Sequence, residues 1–179
     1  MTCSSAIQKT RPIAIIGAGV LGRRIGACWA STGYKVNIQD PDASQAAGAL
    51  EYTKQELWRY NPAANADQIS VHTFQDLKKA VEDAWLVIEC VPERLELKID
   101  VFAELEKVAP QDTILATNSS SYKSREMTVK VQPETARRMD IPPPPPPLPP
   151  RLPRLPLTHT HLQLIPIISF HPRSASSKS

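Results

Sequence analysis

The apolar and polar positions of this chain fall into two alternating rhythms as far as residue 139. Short runs that are apolar throughout or alternate strictly occupy 13–16, 35–40, 69–73, 85–91 and 113–117, and each predicts a strand. Between them the period lengthens to that of a helix. Ala46, Leu50, Thr53 and Leu57 recur at spacings of 4, 3 and 4, predicting an amphipathic helix from about 44 to 60. Leu77 and Val81 mark a shorter helix within 74–83, and Leu95, Ile99, Phe102 and Leu105 mark the buried stripe of another that closes near Pro110. A further helix is expected over 122–131, with 133–139 leading away from it. The run 85–91 is apolar without alternation, as in a parallel strand covered on both faces. Strands alternating with helices predict a Rossmann-type α/β fold, doubly wound around a mainly parallel sheet of at least five strands.

Composition changes along the chain. All 6 glycines lie at or before Gly48, whereas most of the 18 prolines lie at or after Pro142. The first 139 residues hold equal numbers of basic and acidic side chains, so the net charge of +3 falls on 140–179. The domain boundaries read accordingly: a nucleotide-binding unit over 1–139 and a proline-rich, low-complexity tail over 140–179, disordered by composition. The balanced charge offers no basic face for nucleic acid. Neither a secretory signal nor an apolar membrane span stands out, so a soluble, cytoplasmic protein is expected. The final Ser-Lys-Ser is one residue short of a peroxisomal address. Three cysteines, Cys3, Cys28 and Cys90, form no CxxC pair, which fits a reducing compartment and argues against a zinc site. Cys28 and Cys90 sit in apolar runs and read as core residues.

Candidate chemistry begins at the first strand. It runs directly into Gly17-Ala-Gly19-Val20-Leu21-Gly22, with a helix-compatible stretch following. A dinucleotide pyrophosphate requires this spacing. The first glycine permits the turn, the second a close backbone approach to phosphate, and the third the packing of helix on strand. The helix N-terminus adds free N–H groups and a partial positive charge. The second strand ends in Asp40, 18 residues after Gly22, where the carboxylate that holds the adenosine ribose belongs in such a fold. The competing reading is a glycine-rich turn of some other α/β protein, with Asp40 only capping the next helix.

Two strings go further. GAGVLGRRIGACWASTGYKVNIQDPD, followed by VIECVPERLELKIDVFAELEKVAPQDTILATNSSS, resembles the N-terminal NAD-binding domain of the 3-hydroxyacyl-CoA dehydrogenases, including the branch of lambda-crystallin and gulonate dehydrogenase. The second string is the more specific, with Glu89, Glu93 and Lys98 preceding a strand that ends Thr-Asn-Ser-Ser. The resemblance runs from Pro12 to Met139 and implies NAD as cofactor, with Asp40 favouring it over NADP. It further implies that Glu93, Lys98 and Asn118 line the nicotinamide half, and that Ser120 holds the oxygen of an acyl-CoA or hydroxy-acid substrate. Without it, Glu93 is equally a helix-start acid, Lys98 a solvated lysine, and Asn-Ser-Ser-Ser a strand-to-helix turn.

The resemblance also implies a catalytic histidine just after Met139, oriented by a later glutamate. The sequence there reads Asp140-Ile-Pro-Pro-Pro, and no glutamate follows Glu134. His159, His161 and His171 lie in proline-broken sequence with nothing to fix them, and His72, at the edge of a short strand, reads as a surface or half-buried residue rather than a catalyst. The expectation is therefore a domain that binds NAD(H) but turns over little or nothing. Other readings are a non-catalytic NAD(H) module and the product of a partial gene. In the module, the tail would dock an SH3-type partner through Pro146-Pro-Leu-Pro149-Pro-Arg151.

Overall fold

A computed structural model describes residues 10–139. Its centre is a five-stranded, all-parallel sheet in the order β3-β2-β1-β4-β5, built from β1 (Ile13–Ile16), β2 (Val36–Gln39), β3 (Val71–Phe74), β4 (Leu86–Glu89) and β5 (Ile114–Thr117). Ile13 pairs with Val36 on one side and Leu86 on the other, so the central strand is flanked by partners reached through opposite crossovers. The helices are α1 (Val20–Ser31), α2 (Ala43–Tyr60), α3 (Leu77–Val81), α4 (Leu95–Val108), α5 (Ser124–Met127) and α6 (Pro133–Arg138).

Both faces of the sheet are buried, and β1 and β4 are apolar at successive positions to match, whereas β2 alternates and its buried Asn37 and Gln39 donate to the Ala80 and Gln75 carbonyls. On one face Ile13, Ile15, Val36, Ile38 and Leu86 pack against Trp29 of α1 and Ala49 and Leu57 of α2. On the other, Ala14, Ile16, Val87 and Leu115 meet Val81 of α3, Phe102 and Leu105 of α4, and Met127. The helices start where their caps dictate. Asp42 accepts from the Ser44 N–H at 2.8 Å to open α2, and Asp76 from the Lys79 N–H at 2.8 Å to open α3. Asp40 is thus not the cap of α2.

Two expectations are corrected near residue 130. The helix expected over 122–131 is the single turn α5. It stops at Thr128, whose hydroxyl donates to the Arg125 carbonyl at 3.2 Å, and β-branched Val129 and Val131 follow. The segment expected to lead away instead forms α6, with Pro133 in its first turn, Glu134 beside it and Arg137 and Arg138 at its end. Arg138 fastens α6 to the entry of β5 by donating to the carbonyls of Pro110 and Gln111, both at 2.9 Å. Among the described residues, no helix is long and apolar enough to cross a membrane. Cys3 and the tail from 140, including the SH3-type motif and the three tail histidines, lie outside the described residues.

Candidate functional site

The order of the sheet reverses at β1, and such a reversal opens a crevice beyond the carboxyl ends of the strands. A cleft of about 560 Å³ lies there. It is lined by Gly17, Gly19, Val20, Leu21, Asp40, Glu93, Lys98, Asn118 and Ser120, so residues from four strand ends converge on one space.

At one end the cleft is made of backbone. Gly17 has φ +101°, and a Cβ there would lie 2.8 Å from the Cys90 carbonyl oxygen, so only glycine makes this turn. At Gly22 an added Cβ would fall 1.8 Å from the Gly17 carbonyl oxygen, a contact that only a hydrogen permits where α1 crosses β1. Gly22 accordingly packs the helix and does not line the cleft. Gly19 is the opposite case. A Cβ there meets nothing within 4 Å, so its backbone faces open space. It also begins α1 without any side-chain cap and without an acidic residue in the first turn, leaving the first N–H groups without a side-chain partner where Gly19, Val20 and Leu21 line the cleft. Such an end suits an anion.

Asp40 stands where β2 ends. Its Oδ2 accepts from the Ala18 N–H at 2.9 Å and its Oδ1 from the Asp42 N–H at 3.0 Å. The carboxylate is therefore pinned to the glycine loop itself. Arg23 reinforces the corner, donating to the Ala18 carbonyl at 3.2 Å and to Gln45 Oε1 at 3.1 Å.

The other end is built from charge. Lys98 on α4 is 1 % exposed and Glu89, the last residue of β4, is fully buried. The Lys98 ammonium donates to Glu89 Oε1 at 2.8 Å and Oε2 at 3.0 Å, and lies 3.1 Å from Glu93 Oε2. Glu89 also accepts from the Val91 N–H at 2.7 Å and the Thr117 hydroxyl at 2.6 Å. Burial alone would lower the Lys98 pKa, but the hydrogen bond and charge of Glu89, with Glu93 behind, outweigh it and hold the ammonium above the ordinary lysine range. Lys98 is therefore no solvated lysine. Glu93 accepts from the Ser119 hydroxyl and, at 3.4 Å, from the Ser121 N–H. Its slight desolvation would raise its pKa; Ser119 and Lys98 outweigh that and hold it below the usual carboxylate range. Ser119 Oγ in turn accepts from the Tyr122 N–H at 3.1 Å, so the Asn-Ser-Ser turn is stabilised locally as well.

Several residues of the site escape a reading of the sequence. Cys90 packs against the core as expected and also lines the cleft, because it lies one residue past β4. Burial, then the charge of Glu89, push its thiol pKa up, so the neutral form prevails. Gln45, Val91 and Pro92 also line the cleft, and Thr117 and Ser119 position its acids. The lone acid in the otherwise apolar run 85–91 was the available signal for Glu89. His72 is exposed on edge strand β3, beside Ser70 Oγ at 3.3 Å, and does not line the cleft. Among the described residues, no group of three or more His, Cys, Asp or Glu could hold a metal ion.

The chain matches known proteins over this region. Residues 12–141 match the family described as 3-hydroxyacyl-CoA dehydrogenase, NAD binding domain. An L-carnitine dehydrogenase from Nocardiopsis dassonvillei is 36% identical over 125 residues, covering 68% of this chain and 38% of that protein. The lambda-crystallin homolog of Bos taurus is 35% identical over 116 residues, covering 60% of this chain and 36% of its own length. The chain thus spans less than two fifths of these curated relatives. Among solved structures, 3-hydroxybutyryl-CoA dehydrogenase from Escherichia coli K12 superposes with a TM-score of 0.63 at 28% identity, covering 72% of this chain and 28% of that one. The chain belongs to the 3-hydroxyacyl-CoA dehydrogenase family through its NAD-binding domain, and NAD is its cofactor.

Proposed function

We propose that this chain is the cofactor-binding part of an NAD-dependent oxidoreductase acting on the hydroxyl of a hydroxyacyl thioester or a related small hydroxy acid. The observation that carries the reading is the cleft itself, with uncapped helix N–H groups and Asp40 at one end and the Glu89–Lys98–Glu93 cluster at the other. The fit to a dinucleotide is good on two counts. Gly19 leaves its backbone open where a diphosphate must approach, and the volume lies within the range of small-molecule sites, about 300–1,000 Å³.

In this reading Asp40 accepts from the adenosine ribose hydroxyls, and the first N–H groups of α1 at Val20 and Leu21 hold the diphosphate. Glu93, Lys98 and Asn118 flank the nicotinamide half. NAD supplies the hydride acceptor. Ser120, exposed at the rim, positions the substrate oxygen. Neither Ser120 nor the side chain of Asn118 has a hydrogen-bond partner among the described residues, so both donors are available to a ligand. The substrate hydroxyl must also lose a proton. His72, the one histidine within 10–139, lies off the cleft, so a histidine serving as the base must come from outside that range.

Titration of the full chain with NAD⁺ and NADP⁺ tests this. The fixed charge of Asp40 disfavours a 2′-phosphate by roughly tenfold or more, and Asp40→Asn narrows that gap. Equal affinity for the two cofactors in the unmodified chain would contradict the assignment of Asp40.

A further inference from the structure

The far end of the cleft carries an unbalanced charge. Glu89 accepts only from donors, namely the Lys98 ammonium, the Val91 N–H and the Thr117 hydroxyl, and so is a carboxylate. Glu93 likewise accepts from Ser119, Ser121 and Lys98. One ammonium faces two carboxylates, and among the described residues no other basic side chain forms an ion pair with either acid. The cluster bears one net negative charge.

That charge is not shared evenly. Glu89 is fully buried and doubly bonded to Lys98, whose own side chain is 1% exposed. The Glu93 side chain is 42% exposed and lines the cleft, so the unmatched charge is presented there. The two redox forms of the cofactor differ in charge at one place only. The oxidised nicotinamide ring is cationic and the reduced ring is neutral, while the adenosine half is identical in both.

We propose that Glu93 is a specificity-determining residue for redox state, its carboxylate strengthening binding of the cationic oxidised ring relative to the neutral reduced ring. This rests on the reading that the nicotinamide half occupies this end of the cleft. Lys98 opposes the effect at short range, but Glu89 neutralises it from behind, and Glu93 supplies the surplus. Asp40, at the adenosine end, contributes equally to both forms.

The test is calorimetric titration of the full chain with NAD⁺ and with NADH, for the unmodified protein and for Glu93→Gln, Glu93→Asp and Asp40→Asn. Glu93→Gln lowers the preference for NAD⁺ over NADH by roughly three- to tenfold, toward the smaller figure because water screens a part-exposed acid. Glu93→Asp keeps the charge and holds the ratio within about twofold. Asp40→Asn weakens both forms alike. Added salt shrinks the difference between the unmodified chain and Glu93→Gln. Binding of both forms with a ratio unmoved by Glu93→Gln would overturn the charge role and leave the cofactor site intact. Failure of the unmodified chain to bind either form would overturn the dinucleotide reading and this inference with it. Glu93 is exposed enough for either variant to fold, which a thermal melt verifies.

Discussion

The two ends of the cleft solve the same problem with opposite materials. The glycine end uses backbone N–H groups, a bare helix terminus and one half-buried aspartate, and buries no ion pair. The lysine end places Lys98 and Glu89 wholly out of water. Oriented amides are nearly free of desolvation cost, since their hydrogen-bonding capacity is simply left open. A buried pair must recover several kcal/mol per ion through geometry, and it does so here with a two-pronged contact and two further donors to Glu89. The first arrangement recognises a phosphate wherever such a loop occurs, while the second fixes one ammonium and one exposed acid in a particular place.

Breaking the lysine end has the larger consequence. Lys98→Met leaves Glu89 buried without its counter-charge and costs about 3–5 kcal/mol in urea unfolding, whereas the double variant Glu89→Gln/Lys98→Met is less damaging than Lys98→Met alone. A double variant that merely sums the two single losses would show that the residues do not act as a pair. At the glycine end the contrast is between neighbours. Gly22→Ala drives a Cβ into the Gly17 carbonyl and costs about 1–3 kcal/mol, whereas Gly19→Ala, with open space around it, changes stability by less than about 0.5 kcal/mol. Thermal melts of the two variants separate the packing glycine from the ligand-facing one.

The smallest effect is one of pH. Because the folded-state pKa of Glu93 is lowered, its contribution is present at neutral pH and is lost as the pH falls through the acidic range in which that carboxyl protonates. The group is well exposed, so the loss is a few tenths of a kcal/mol, seen as a shallower acid limb in Glu93→Gln. Lys98 runs the other way. Its raised pKa means that its contribution is complete at neutral pH and declines only on the alkaline side, above the ordinary lysine range.

The same contrast explains what the sequence makes legible. The strands β1, β4 and β5 are visible as contiguous apolar runs and β2 and β3 as alternating ones, and β1 through Gly22 is a single local motif. Asp40 follows from its distance to that motif. The single turn α5 and the two-turn α6 are too short for a period to emerge, although Pro133 with Glu134 and Arg138 was a cap signature in plain view. At the lysine end the sequence offers Glu89, Glu93 and Lys98 as a pattern without stating that Lys98 is buried. That fact depends on Glu89 nine residues away, and the hold of Ser119 on Glu93 spans 26 residues. Cys90 does pack against the core, but an apolar run does not reveal that its last residues also reach the rim of the cleft.

Calorimetric titration of the full 179-residue chain with NAD⁺, alongside Gly19→Ala, tests the dinucleotide cleft most directly. One saturable site, weakened about tenfold by a methyl group that leaves the melting temperature unchanged, is the expected result. No heat of binding in the unmodified chain, or equal affinity in the two proteins, would contradict it.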